Sequence, residues 1–236
     1  AYNTDPYPSG KMGVSLTSVE KLQRAVKMAH DNKLQLAVHA MGDKAIQTVI
    51  DVTKDMKPWL TTMPSVRIEH ASLMTDQMFA EIANSEMNYA LVTQPIFFFA
   101  EDESYRHYLS PAQFKLAYRV KTMLNSQAML GLSSDAPCTP WAEPDSPFYS
   151  IYAAVTRKAA NGDVVNAEEA ITVPQAILGY TRDGAKSGGF DDNGTLEVGK
   201  AADFVILNDD IFTVAHSELK NIHVNETWMA GKRVME

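Results

Sequence analysis

The chain has 236 residues, 45% hydrophobic and 21% charged, which is enough for a sizeable core in one or two domains and ordinary for a globular protein. A net charge of −8 without any basic run argues against nucleic acid as a partner, and no stretch approaches the ~18 uninterrupted apolar residues of a membrane span. The single Cys138 excludes an internal disulfide framework and suits a reducing or an oxidising compartment.

Ala1-Tyr2-Asn3-Thr4 has neither the basic start nor the apolar middle of a signal peptide, and no initiating Met. A chain beginning inside a longer protein is therefore expected. The expected compartment is the cytoplasm, with the periplasm or secretion left open by the absent true N-terminus. Residues 1–16, with Pro6, Pro8, Gly10 and Gly13, read as an irregular loop. Thr17-Ser18-Val19-Glu20 reads as a capping box, followed by Val19, Leu22, Val26 and Ala29 at helical spacing up to about Asn32. An apolar run, Leu34 to Val38, predicts a strand ending in His39. Lys44 to Met56 predicts a helix stopped before Pro58, with Asp43 as its cap. A strand over Val66-Arg67-Ile68 ends in His70, and a helix from about Thr75 to Ala83 follows. Asn88 to Gln94 predicts a third strand closed by Pro95, and Ser110-Pro111-Ala112-Gln113 opens another helix. Met129 to Leu132 is a fourth strand. Helices are expected over Pro147–Lys158 and Val173–Arg182, the second opened by the capping box Thr172-Val173-Pro174-Gln175.

The order β-α-β-α-β-α-β implies parallel strands with helical crossovers. His39 and His70 are one strand–helix unit apart, the spacing of an eight-unit barrel of about 250 residues. With four units present, half of such a barrel is expected. The periodicity then changes: residues 194–207 read as turn, short strand, turn, strand, and Thr227–Val234 as a tight hairpin turning at Gly231. The expected division is 1–185 for the barrel half and 186–236 for a small β-sandwich segment.

His39, His70 and Asp135 each follow an apolar run, and in a barrel the chemistry sits at the carboxyl ends of the strands. Two neutral imidazoles and a carboxylate suit zinc or a similar divalent cation. An Asp at the rim can touch the metal and accept a proton from its water. His30, His107, His216 and His223 lack this placement and read as surface or helix residues. Gln94, at a strand end, could orient substrate or make a plain strand-end hydrogen bond. Arg157 could bind a substrate carboxylate or hold the Asp135 loop. Glu69 should face away from His70 and pair with a helix. Phe97-Phe98-Phe99 could wall an apolar pocket or pack in the core.

Seven segments together resemble the amidohydrolase superfamily, in the amidohydrolase 3 branch of N-substituted-formamide deformylases and D-aminoacylase-like enzymes, some of whose members carry exoenzyme regulatory names. They are Val-His-Ala-Met-Gly-Asp-Lys-Ala-Ile (38–46), Arg-Ile-Glu-His-Ala (67–71), Val-Thr-Gln-Pro (92–95), Ser-Asp-Ala-Pro (134–137), Ala-Val-Thr-Arg (154–157), Gly-Tyr-Thr (179–181) and Gly-Lys-Ala-Ala-Asp-Phe-Val-Ile-Leu (199–207). The resemblance implies an α/β fold: strands five to eight, the C-terminal half, of a distorted TIM (β/α)8 barrel, plus part of a flanking β-sandwich. It implies metal ligands at His39 and His70, with Asp135 as ligand and general base, and one or two divalent ions, zinc first. The family's His-x-His pair on strand one and lysine on strand four have no counterpart here.

The expected function is metal-dependent hydrolysis of an amide-like carbon–nitrogen bond in a small-molecule substrate. The alternatives are an ester or lactone hydrolase, or a non-catalytic regulatory or binding protein that keeps the fold. Expected partners are the N-terminal half of the same protein and a second copy in a homo-oligomer, with neither nucleic acid nor membrane. The chain alone is expected to be incomplete and inactive.

Overall fold

The computed structural model describes residues 1–138, 143 and 145–235. Chain order is α1 (Val19–Asn32), β1 (Leu36–Ala40), α2 (Asp43–Thr53), β2 (Val66–His70), α3 (Asp76–Asn84) and β3 (Tyr89–Thr93). Then come α4 (Pro95–Tyr108), α5 (Pro111–Lys115), α6 (Val120–Leu124), β4 (Met129–Leu132) and α7 (Pro147–Thr156). The chain continues through α8 (Val173–Tyr180), α9 (Arg182–Ser187), β5 (Phe204–Leu207), β6 (Val224–Met229) and β7 (Lys232–Met235).

The first four strands form one parallel sheet in chain order, β1-β2-β3-β4. Near-continuous apolar runs with helical crossovers make this arrangement, because a parallel strand is covered on both faces. Ile68 and Leu91 lie side by side in the sheet and are fully buried, as are Ile46 and Ile50 of α2. The helices α8 and α9 pack on β4. Gly179 of α8 permits that approach: a Cβ there would stand 2.9 Å from Leu132 Cγ.

The second sheet, β5-β6-β7, is antiparallel, and Phe204 stacks on Trp228 with ring centroids 5.5 Å apart. Ala230 (φ 47°) and Gly231 (φ 73°) supply the two left-handed residues of the β6–β7 turn. Between β5 and β6 the chain returns to the first unit. A 3-10 turn, His216–Asn221, packs on α7, and Ile211, Leu219 and Ile222 join the main core. The division expected after residue 185 falls inside α9.

Several local expectations need correction. Ser18, rather than Thr17, caps α1, its hydroxyl accepting from the Lys21 amide at 3.3 Å. Gly42 (φ 90°) occupies the cap position of α2, and Asp43 instead accepts the Thr4 amide at 2.8 Å, tying the N-terminal segment over this turn. Residues 195–198 form no strand; the dipeptide turns around Gly194 and Gly199 leave them irregular. Phe97, Phe98 and Phe99 lie in the first turn and a half of α4, with Pro95 at its start, and all three are buried. The helix is hard to foresee because its apolar residues are consecutive, not spaced at helical intervals.

Candidate metal centre

The register pairs His39 with Glu69 and Ala40 with His70, so strand alternation alone would send the two imidazoles to opposite faces. His70 has φ 71°, and Ala71 after it φ 47°. This left-handed backbone, costly for a residue with a side chain, turns the His70 ring back towards His39. His39 Nδ1 lies 2.8 Å from His70 Nε2, with ring centroids 4.5 Å apart and nearly perpendicular planes. Phe97 of α4 stacks on the other side of the His70 ring at 6.0 Å.

Gln94 follows β3 and is 1% exposed. Its Nε2 donates to Ser133 Oγ at 2.8 Å and to the Val92 carbonyl at 3.3 Å. That orientation leaves Oε1 facing His70 Nδ1 at 2.9 Å. An amide oxygen only accepts, so the proton belongs on Nδ1 and the lone pair on Nε2, turned towards His39. Of the two sequence readings, substrate contact or a strand-end hydrogen bond, the structure shows hydrogen bonds from both ends of the Gln94 side chain to the protein, one of them to His70.

Asp135 follows β4 in a turn with φ 51°. Its Oδ2 is 4.0 Å from His70 Nδ1, the nitrogen turned away from His39. The carboxylate and Gln94 thus share one side of the His70 ring, and the two imidazoles meet on the other. Among the described residues no three His, Cys, Asp or Glu are gathered closely enough to hold an ion. His39 and His70 meet directly, while Asp135 approaches the opposite nitrogen of His70 at 4.0 Å. What does suit a borderline divalent cation is the donor chemistry of the facing imidazole pair.

Burial against the sheet end, and next the neighbouring His70, hold the His39 imidazole below its ordinary value, with Asp135 and Glu69 pulling the other way. A neutral imidazole is the form that binds a metal.

Arg157 lies away from this group. It ends α7 with φ 55°, is 0% exposed, donates from Nε to the Val165 carbonyl at 2.9 Å and lies over the Phe98 ring. Burial pushes its guanidinium down to about 10. So enclosed, it cannot meet a substrate carboxylate at the rim, and its bond to Val165 holds the 157–165 turn. Glu69 faces Arg67 of its own strand rather than a helix, since residues two apart share a strand face. Cys138 is exposed, its amide donating to the Asp135 carbonyl at 2.9 Å. Sequence reasoning missed Phe97 as the stacking partner of His70, and Ser133 as the anchor of Gln94. The adjacency of Gln94-Pro95 to a helix start was the available signal.

The model of the Amidohydrolase family matches residues 1–235. The chain is 29% identical to the putative amidohydrolase YtcJ of Bacillus subtilis, over 100% of this chain and 43% of that protein. It is 27% identical to an N-substituted formamide deformylase of Arthrobacter pascens, over 93% of this chain and 40% of that one. The solved structure of an uncharacterized metal-dependent hydrolase from Pyrococcus horikoshii superposes with a TM-score of 0.78 at 30% identity, covering 92% of this chain and 43% of that one. The chain thus spans less than half the length of these relatives, and it belongs to the amidohydrolase family.

Proposed function

We infer that this chain is part of a metal-dependent hydrolase that cleaves a carbon–nitrogen bond of an amide-like substrate. The observation that carries the reading is the facing pair of His39 Nδ1 and His70 Nε2 at 2.8 Å, with the His70 tautomer set by Gln94. The likeness to a formamide deformylase favours the carbon–nitrogen bond over an ester or lactone. His39 and His70 would hold a divalent cation, zinc being the first choice for an imidazole pair. Such an ion, when bound, supplies Lewis acidity and a water of lowered pKa.

In this reading Asp135 is the general base. It is partly exposed, on a turn after β4, with Oδ2 4.0 Å from His70 Nδ1. It would take a proton from the attacking water and pass it to the leaving nitrogen, while the imidazoles stay neutral. Gln94 is a positioning residue acting through His70. The sheet β1-β2-β3-β4 would be strands five to eight of a distorted eight-stranded barrel, residues 186–236 part of a β-sandwich beside it, and the N-terminal half of the same protein the partner that completes both.

The test is metal content by mass spectrometry, together with hydrolysis of simple formamides and acetamides, on this chain joined to that N-terminal half. Tightly bound zinc or a similar ion, and turnover lost on chelation and restored by metal, are the expected results. A folded protein that binds no divalent metal would overturn this reading in favour of a binding or regulatory role.

A further inference from the structure

Past its buried first turns, α4 kinks at Glu101 (φ −124°, ψ 19°). From there Glu101, Ser104, Tyr105 and Tyr108 recur at i, i+3, i+4 and i+7, the spacing of one helix face. This face, together with Tyr7 of the N-terminal segment, walls a cavity of about 860 Å³ that His39 also lines, so the cavity reaches the carboxyl end of β1. Its walls are mostly apolar and aromatic. Lys11, which is exposed, is the lining side chain of opposite charge to Glu101.

Glu101 is half-buried, yet its carboxylate makes no hydrogen bond or ion pair with any described residue. Burial alone pushes its carboxyl above the ordinary range, the mark of a charge stripped of water and given nothing in return. Its surroundings are aromatic. Tyr105, on the same face, donates to or accepts from the buried Tyr118 hydroxyl at 2.7 Å.

We propose that Glu101 is the recognition residue of this cavity and that the cavity takes an organic cation, an apolar body bearing a protonated amine. A carboxylate and the faces of Tyr7, Tyr105 and Tyr108 are the groups that attract an ammonium. A lone carboxylate among apolar walls does not offer the six or more oxygens of a calcium site. As a substrate class, amine-bearing amides rest on the hydrolase reading above; the binding preference itself does not.

The experiment is calorimetric titration of the full chain with cyclohexylammonium and with cyclohexanol, probes of similar shape that differ in charge. The ammonium should bind at least ~10-fold more tightly, and Glu101→Gln should erase that preference while leaving the alcohol unchanged. Tyr108→Lys, at an exposed position of the same face, should cut the ratio of ammonium to alcohol affinity by at least ~3-fold, and it decides the matter should Glu101→Gln not fold. Equal affinities in the wild type, or a preference that survives both substitutions, would overturn the proposal. Absence of the preference in the wild type, with amide hydrolysis present, sinks this inference only. A preference retained in a protein without hydrolysis sinks the hydrolase reading only.

Discussion

The parallel sheet has two edges, and they are finished differently. At β4 the edge is covered: Leu130, Gly131 and Leu132 are buried, with α8 and α9 laid against them through close approaches at Gly131 and Gly179. At β1 the edge is open among the described residues: Ala37 and His39 are exposed and Leu36 and Val38 only partly covered. Val14 and Leu16, which line the same cavity as Val38, are 70% and 84% exposed. Yet the sequence of β1, Leu-Ala-Val-His-Ala, is as apolar as that of β3, Tyr-Ala-Leu-Val-Thr, which is buried at every position. An apolar run specifies a parallel strand; it does not specify how many neighbours the strand has. The candidate site spans this asymmetry, with His39 from the open edge, Asp135 after the covered one, and His70 and Gln94 from between.

The largest effects should therefore fall at the covered edge. Leu130→Ala removes a side chain that is 4% exposed and should cost about 2–4 kcal/mol, the range for buried leucine truncations. Val38→Ala, on the open edge, should cost less than about 1 kcal/mol. Chemical denaturation of both variants measures the difference. Equal losses would mean that β1 is already as well packed as β4, and the contrast between the edges would be lost.

Asp135→Asn sharpens the contrast at the site itself. It keeps the volume and some ligand capacity of the residue after the covered edge but removes its basicity. In the full chain kcat should fall by at least ~10²-fold, with metal content and melting unchanged. A kcat within a few-fold of wild type, metal still bound, assigns the base to another residue.

Much of this arrangement was legible in the sequence. The strands carrying His39, His70 and Leu132 near their ends and the capping boxes at Ser110 and Thr172 were readable because period, cap and breaker agree locally. What was not legible depends on long-range packing or on backbone conformation. Strand alternation would separate His39 from His70, and the positive φ that reunites them has no signature in Ile-Glu-His-Ala. Arg157 reads as a binder of a substrate carboxylate or a support of the Asp135 loop, and is enclosed over Phe98 because an arginine's apolar stem and flat head can stack where a lysine's cannot. Gln94 was visible as a polar residue at a strand end, but its partner on the neighbouring strand was not.

Gln94→Leu asks whether the middle of the sheet governs the pair at its open edge. The substitution removes the acceptor that keeps the proton on His70 Nδ1, so Nε2 no longer holds its lone pair towards His39. Metal affinity should fall by ~10–100-fold, the usual cost of losing a partner behind a ligand. Competition with a chelating dye gives the number. Unchanged affinity would show that the His70 ring is held by Phe97 and the backbone alone.

The smallest effect, and the most direct reading of the open edge, is the titration of His39. Being exposed, it would on that account keep the ordinary value of about 6.5. Burial of its ring against the sheet end, and the charge of His70, instead hold it lower, while the Asp135 carboxylate raises it and so limits the shift. In metal-free protein its ring proton should titrate, by NMR, with a midpoint below ~6.5. Asp135→Asn should lower that midpoint further, since it deletes a raising influence. The unfolded chain binds this proton more readily than the folded one, so the group's contribution to stability is complete above ~6.5 and is lost as pH falls through the lowered value. A midpoint at or above 6.5 would mean that water surrounds His39 entirely and that the imidazole pair does not persist at the uncovered edge.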